Sequence, residues 1–371
     1  MKVVVERESF LAAFQMAAAV APNRSPRAIL ENVKLEVTDA SSILVATDTE
    51  VGIRATVTGI EVSATGAVLL PVGEFGNLLR ESSDEKLTIT VSDQATVVEG
   101  QHSKFQLANA DPEEFPDVAD FAASSYLEVP AGVLKELIRR TLFATDTESS
   151  RYALGGVMLE LKGDTLIAVG TDGRRLAKME GGVARVGDEG FPGAMVIVPS
   201  RSMSLIEKAC SDPEAIVQIA ATENSVLFKS PAATIFSRLV EGRFPKWQDV
   251  FPKRKDAIQI DIATGPMYSA LRQAAIVARD ESRGVGFTFD NGTVVLSGMT
   301  AEVGESRIEL PVAYDGEPLT ISLDHRFVED FLRVLSGDTT FILEVENSDA
   351  AALFSTSDGF SYVVMPLARD Q

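Results

Sequence analysis

Val45-Ala46-Thr47-Asp48-Thr49-Glu50-Val51-Gly52-Ile53-Arg54-Ala55 returns as Val169-Gly170-Thr171-Asp172-Gly173-Arg174-Arg175-Leu176-Ala177, a third of the 371-residue chain further on. A fainter copy, Leu296-Ser297-Gly298-Met299 leading to Ser306-Arg307-Ile308-Glu309-Leu310, falls at the corresponding later place. That period exceeds the roughly 20–50 residues of a solenoid or propeller unit, so the repeated object is a whole domain.

Outward from these stretches, the surroundings repeat too. Phe10, Leu11, Phe14, Ala17, Ala18 and Ala21 recur at helical spacing before Pro22. Leu134, Leu137, Ile138 and Leu142 do the same after Pro130, and Met267, Leu271, Ala274, Ala275 and Ala278 after Pro266. Alternating strands follow each run, joined by Asp39-Ala40-Ser41, Lys162-Gly163-Asp164 and Asp290-Asn291-Gly292, all suitable hairpin turns. Each second half-unit sends a strand into a further helix: Val68 to Pro71 into Phe75, Leu78 and Leu79; Val196 to Ser200 into Met203, Leu205 and Ile206; Ile321 to Asp324 into Phe327, Phe331 and Leu332. Proline suits a helix start, and Ser200 or Asp324 is placed to cap. The expected class is α+β: three tandem similar domains over residues 1–120, 127–251 and 257–371, each with two helices packed on antiparallel sheet. Ala119–Leu127 and Pro252–Ala257 read as linkers.

The hydrophobic share of 45% is enough to give each domain a core, and 24% charged residues in regular apolar patterning argue against disorder. The single cysteine, Cys210, excludes an internal disulfide and reads as core packing. His102 and His325, distant in sequence and expected at the surface, offer little material for a zinc site. The start, Met1 to Arg7, reads as a strand meeting a helix rather than a secretion signal, and Phe10 to Ala21 is too short to span a bilayer. A cytoplasmic location is expected.

A search for chemistry yields few candidates. Gly155-Gly156 and Gly181-Gly182 lack the pattern of a nucleotide-binding loop, and no cysteine–histidine arrangement supports a nucleophile. Asp48 with Glu50, Asp146 with Glu148, and Asp172 admit two readings. One is a divalent-metal site, as in a metal-dependent nuclease. The other is a turn in which a short carboxylate bonds nearby backbone amides, and the recurrence of Thr-Asp in two domains favours it. Asn291-Gly292-Thr293 matches a glycosylation acceptor but is better explained as a hairpin turn. No enzyme activity, cofactor or metal is expected.

The formal charge is −20, with 34 basic against 54 acidic residues, which by itself disfavours a phosphate-binding surface. Distribution qualifies the sum. The six helical stretches together are mildly basic, so the remainder carries more than the whole negative charge. Lys135 and Arg139 share one helix face, as do Arg272 and Arg279. A mildly basic helical lining within an acidic shell is one reading; ordinary solvated faces are the other.

The triple repeat, Thr171-Asp172-Gly173-Arg174-Arg175-Leu176, Gly242-Arg243-Phe244-Pro245 and Tyr362-Val363-Val364-Met365-Pro366 together resemble the bacterial DNA sliding clamps, the β subunits of DNA polymerase III. Asn23-Arg24-Ser25-Pro26 and Ile29-Leu30-Glu31-Asn32 resemble the same family's first domain, and the resemblance covers the whole chain. It implies a head-to-tail homodimer closing into a ring around duplex DNA, a processivity factor without catalysis. Arg24, Arg80, Arg139, Arg151 and Tyr152 are the implied DNA contacts. It further implies a groove for short peptides of the replicative polymerase, the clamp loader and repair polymerases. That groove maps onto Leu154, Thr171, Gly173, Arg174, Arg175, Leu176, Pro245, Val250, Val363, Met365, Pro366 and Leu367. Ala153 stands where some members have a large aromatic, Arg174 where some have histidine, and Leu367 where methionine is frequent. Phe105, Leu107, Ile276 and Val277 match the family's dimer interface. A repeat scaffold that binds proteins but not DNA is the remaining alternative.

Overall fold

Among the described residues, a short strand runs straight into a helix six times. Strand 2–6 leads into α1 (Arg7–Ala18), 66–71 into α2 (Val72–Glu81), 126–130 into α3 (Ala131–Leu142), 195–199 into α4 (Ser200–Ala209), 258–263 into α5 (Thr264–Ala274) and 319–324 into α6 (His325–Arg333). The computed structural model describes residues 1–92, 94–146, 152–187, 195–252, 254, 257–279 and 283–367. Pro71, Pro130 and Pro199 each close the entering strand, and Pro266 sits in the first turn of α5, positions where a missing N–H costs nothing. Asp324 caps α6, its side chain accepting from the Arg326 N–H at 3.0 Å. Ser200 does not cap; it is the first residue of α4, and the cap position belongs to Pro199.

Two helix ends fall short of the apolar periodicity. The first helix closes at Ala18, with Ala19 at its C-cap, before Ala21. The fifth ends at Ala274, and Ala275–Val277 form a separate 3-10 turn. Small apolar residues satisfy a helical pattern without supplying the packing that continues a helix.

By packing, the chain falls into two compact units, Met1–Lys135 with Gly182–Leu239, and Glu136–Gly181 with Val240–Gln371. In the first, a sheet runs in the order 184–186, 126–130, 216–221, 225–229, 233–238, 51–56, 42–47, 32–37, 66–71. Its middle joins two repeats by main-chain pairing, Ala233 opposite Ala55 through Ser237 opposite Val51. A further sheet of this unit runs 60–64, 2–6, 86–91, 96–99, 104–107. Phe75 of α2 meets Phe10 and Phe14 of α1 with ring centroids 6.0 and 5.2 Å apart.

In the second unit, strands 156–162, 165–171, 175–182, 361–364, 352–355, 340–345 and 258–263 follow one another in one sheet. Here too a repeat junction is a strand pair, Arg175 opposite Val364 and Leu176 opposite Val363. The buried face of α6 places Phe331 among Phe341, Phe354, Phe360 and Tyr362, ring centroids 5.1–5.5 Å away. Strands 304–311, 293–300, 284–290 and 319–324 form the unit's other sheet. Its hairpin turns on Asn291 (φ 42°) and Gly292 (φ 77°), the left-handed pair an Asn-Gly turn supplies.

The described residues of the interrepeat segments make packing and hydrogen-bond contacts. Phe121 packs edge-on against Tyr126 at 5.6 Å, and strand pairing already begins at Tyr126. The Arg254 side chain is 6% exposed and bonds the Glu344 carbonyl at 3.2 Å and the Ala351 carbonyl, with Glu346 3.4 Å away. Cys210 is buried, and burial pushes its thiol pKa up to about 11, so it is unreactive near neutrality. His102 is exposed, whereas His325 is half-buried, its Nδ1 donating to the Arg283 carbonyl at 2.9 Å.

Candidate functional site

The repeated Thr-Asp stretch is a turn built twice from the same bonds. In the first copy the Thr47 hydroxyl donates to the Val51 carbonyl at 2.8 Å, and Asp48 Oδ1 accepts from the Glu50 and Val51 N–H groups at 3.0 and 2.7 Å. In the second, Thr171 donates to the Arg175 carbonyl at 2.6 Å, and Asp172 Oδ1 accepts from Arg174 and Arg175 at 2.9 and 3.1 Å. Carboxylate oxygens so committed leave little for a metal ion. Among the described residues no group of three His, Cys, Asp or Glu side chains is placed to hold one.

The turn demands a left-handed third residue. Gly173 meets this at φ 89°, whereas Thr49 occupies φ 80° in the first copy. A β-branched residue there is strained by about 1–2 kcal/mol, against roughly 0.5–1 kcal/mol of chain entropy that glycine would cost. Thr49→Gly is therefore expected to raise stability by about 0.5–1 kcal/mol, read as a higher urea midpoint by circular dichroism.

What differs between the copies is what the turn carries. Asp48 pairs with Arg201 of α4, which also bonds the Val20 carbonyl at 2.9 Å just past the end of α1. Asp172 instead receives Arg175 Nε at 3.0 Å. Arg175 reaches on to Asp330 of α6 at 2.7 Å and to the Phe143 carbonyl at 2.7 Å, and its guanidinium lies 4.4 Å from the Phe327 ring centroid. The side chain is only 10% exposed. Burial opposes its charge, but the neighbouring Tyr362 oxygen together with the Asp330 and Asp172 carboxylates more than offsets this and holds it protonated. Burial also raises the pKa of the Tyr362 hydroxyl, which stays neutral and donates to the Phe327 carbonyl at 3.1 Å. Gly170 is required just before this turn, because a Cβ there would stand 2.1 Å from the Thr141 carbonyl at the end of α3.

The twelve positions expected to form a groove divide by exposure. Leu154, Thr171, Leu176 and Val363 are buried, and Leu176 pairs directly with Val363. Val250, Met365 and Leu367 are exposed apolar side chains at 42%, 50% and 37%. The Met365 N–H donates to the Arg174 carbonyl at 3.0 Å and the Leu367 N–H to the Ser322 carbonyl at 2.9 Å, so Met365 is held beside the turn. Gly173, Arg174 and Pro245 are exposed, and Arg175 and Pro366 are half-buried. The segment bearing Pro245 and Val250 is anchored through Trp247, whose indole N–H bonds Glu160 at 3.0 Å. Sequence reasoning missed Phe327, Asp330, Arg326 and Arg283, which with Arg174 and Arg175 line one cavity. For Phe327, Asp330 and Arg326 the local signal was the amphipathic spacing of α6, whereas Arg283, just before strand 284–290, had none.

Asp324 supports that side of the cavity. Arg326 returns onto it, with Nη2 at 2.7 Å. Burial raises the Asp324 pKa, but the hydrogen bonds and charge of Arg326 outweigh this and hold it below the usual carboxylate range. A depressed folded pKa means stability that is present above about pH 4 and is lost as pH falls through the folded value. Asp324→Asn is expected to cost about 1 kcal/mol at neutral pH, the difference vanishing in acid, as checked by urea denaturation across pH.

Of the expected DNA contacts, Arg24 and Arg80 are exposed in the first unit, Arg80 bonded to Asn77. Arg139 is half-exposed and forked onto Glu136 at 3.1 and 2.9 Å. Arg140, also counted in the helical charge, is tied to Glu136 and Asp358 at 2.8 and 2.7 Å. Arg151 and the side chain of Tyr152 lie outside the described residues, as does Glu148.

Strand 104–107 ends its sheet, with Phe105 42% exposed and Leu107 half-buried. Strand 304–311 likewise ends its own sheet. Beside it, Ile276 is 71% exposed and Val277 half-buried, on a turn held by Thr300 donating to the Val277 carbonyl at 2.7 Å. Met299 and Val303, not singled out by sequence, are 74% and 41% exposed.

Comparison with known proteins follows the repeats. The N-terminal, central and C-terminal domains of the DNA polymerase III beta subunit match residues 1–119, 128–246 and 248–368 in order, and the chain belongs to that family. The beta sliding clamp of Chlamydia pneumoniae is 30% identical over 99% of both chains, and that of Pseudomonas putida 29% identical over 99% of this chain and 100% of its own. A Pseudomonas aeruginosa sliding clamp solved bound to griselimycin superposes with TM-score 0.91 at 27% identity over 100% of both chains. One from Bartonella birtlesii, also bound to griselimycin, gives 0.91 at 26% over 100% of both.

Proposed function

We propose that this chain is a DNA sliding clamp: a non-catalytic ring of two identical chains that encircles duplex DNA, slides along it and tethers the replicative polymerase. The observation that carries this is the run of three clamp domains in family order along the whole chain. The two open sheet edges support ring closure. An exposed edge with apolar side chains is an aggregation liability unless something pairs with it. Strand 104–107 of one copy and strand 304–311 of the next can continue each other's sheets, burying Phe105 and Leu107 against Ile276 and Val277, with Met299 and Val303 added. A head-to-tail contact of this kind closes when its rotation closes.

The charge suits that task. A net −20 keeps the chain from gripping phosphates, and retention by topology requires only weak, sequence-blind contacts. Arg24, Arg80, Arg139, Arg151 and Tyr152 are the proposed contacts. Ion pairing on Arg139 and Arg140 weakens the lining further, which favours sliding over holding. The exposed Val250, Met365 and Leu367 above the buried Leu154, Leu176 and Val363 form the proposed peptide groove, which takes aliphatic or aromatic anchors from polymerases, the clamp loader and repair proteins. A nuclease reading is disfavoured by the commitment of Asp48 and Asp172 to backbone N–H groups.

The test is to load the protein on nicked circular DNA with its clamp loader and then linearise the circle. A clamp is expected to stay on the circle and leave through the ends. Equal retention on both forms would overturn topological holding, and no retention on either would favour the protein-binding scaffold.

A further inference from the structure

Strand 104–107, the edge proposed to pair with a second copy, has no fully buried side chain to hold it. Lys104, Phe105 and Gln106 are exposed, and Leu107 is half-buried. The strand pairs with 96–99, Thr96 opposite Leu107 through Glu99 opposite Lys104. The Glu99–Lys104 ion pair at 2.7 Å is exposed and adds little. A four-residue hairpin arm held by pairing alone frays readily. The other proposed edge is built differently, since Ser306 of strand 304–311 donates to the Ala274 carbonyl at the end of α5 at 2.8 Å.

Two side chains fix the ends of the arm. At its tip, Asp84 accepts from the Gln101 N–H and from the Ser103 hydroxyl, both at 3.0 Å. Those bonds hold the Asp84 carboxyl below the usual carboxylate range, so it is charged at neutral pH. Gly100 permits the close approach: a Cβ there would run into the Asp84 carboxylate. Its φ is not positive, so space is what the position demands. Asp84 is itself anchored, its carbonyl accepting from Arg7 Nε at 3.0 Å while Arg7 Nη1 reaches the Leu79 carbonyl of α2 at 3.2 Å. At the other end, Asn109 accepts from the buried Thr96 hydroxyl and donates to the Ser92 carbonyl, both at 2.6 Å.

We propose that Asp84 is a positioning residue for ring closure: with Asn109 at the opposite end, it holds strand 104–107 in the extended form that a second copy pairs with. The inference rests on the ring reading above. An edge strand ordered beforehand loses less freedom on pairing, so the staple favours closure through the strand it holds. Without it the arm must be ordered as the seam forms, and a two-chain ring carries that loss at both seams.

The test is sedimentation of the full chain over a dilution series. Asp84→Ala is expected to weaken association about tenfold per seam, and so about a hundredfold in the dissociation constant of the ring. Asp84→Asn, which keeps an acceptor without the charge, falls between. Gly100→Ala crowds the carboxylate and weakens closure in the unaltered chain, yet adds nothing to Asp84→Ala, where the space is free. The second readout is hydrogen exchange in the monomeric Ile276→Asp chain. There Asp84→Ala quickens exchange of the amides of strand 104–107, while those of strand 86–91 keep their rate. A merely structural role would quicken both and lower the melting followed by circular dichroism. An unchanged dissociation constant, or protection lost throughout the sheet, overturns the positioning role. Ile276→Asp alone separates the two readings. If it dissociates the dimer and Asp84→Ala does not, only the positioning role fails. If it leaves the dimer intact, the ring reading and the positioning role fail together.

Discussion

Arg175→Ala is expected to lower the stability of the second unit by about 3–5 kcal/mol, the usual cost of breaking a buried ion pair from one side. The Arg175 side chain is 10% exposed and satisfies two carboxylates and the Phe143 carbonyl at once. Truncation leaves Asp172 and Asp330 facing each other with no cation between them, and opens space beneath Phe327 and Phe143. Lysine cannot repair this, because a single ammonium does not reproduce a planar fork that reaches three acceptors. The chain's one tryptophan, Trp247, lies in this unit, so its fluorescence in urea reads the loss directly. Because Asp172 also holds the Arg174 turn, any binding of peptides in the proposed groove is expected to fall with stability. An unchanged urea midpoint would show that the network is dispensable.

Ile276→Asp is expected to abolish ring closure, giving a monomer at micromolar concentration by sedimentation and no retention on circular DNA. Ile276 is 71% exposed, so the substitution disturbs no core, and melting followed through Trp247 should stay where it was. The effect belongs to the proposed interface, where an unpaired carboxylate would be buried against apolar residues at a cost of several kcal/mol. A two-chain ring carries that cost at both seams. A persisting dimer would move the interface elsewhere.

Much of this fold is legible in the sequence because local physics writes it there. The apolar spacing of Phe10, Phe14 and Ala17, or of Phe327, Phe331 and Leu332, marks a buried helix face whatever lies opposite. Asn291-Gly292 specifies its turn through backbone freedom alone. The Thr-Asp turn is equally local, since its bonds span two to four residues. Helix ends were less legible at Ala21 and Ala278, where small residues fit a pattern without enforcing it. Ser200 was misassigned as a cap because proline and serine both suit a helix start, and only the backbone path decides which stands outside.

The apolar members of the candidate site and the Arg174-Arg175 pair were legible in the sequence; the distant carboxylates that the arginines meet were not. Met365 and Leu176 belong to recognisable strings, but Asp330 meets Arg175 across 155 residues of sequence, and Arg140 meets Asp358 across 218. A net helix charge does not show pairing, and folding commits Arg140 and Arg201 to carboxylates. The sequence by itself determined a threefold α+β repeat, its helices, its turns and its family. Only the tertiary structure decided which arginine each turn's carboxylate meets, Arg201 at Asp48 and Arg175 at Asp172. The physical reason is range: backbone preference and apolar periodicity act over a few residues. The pairing of a buried charge depends on which distant carboxylate the fold carries within reach.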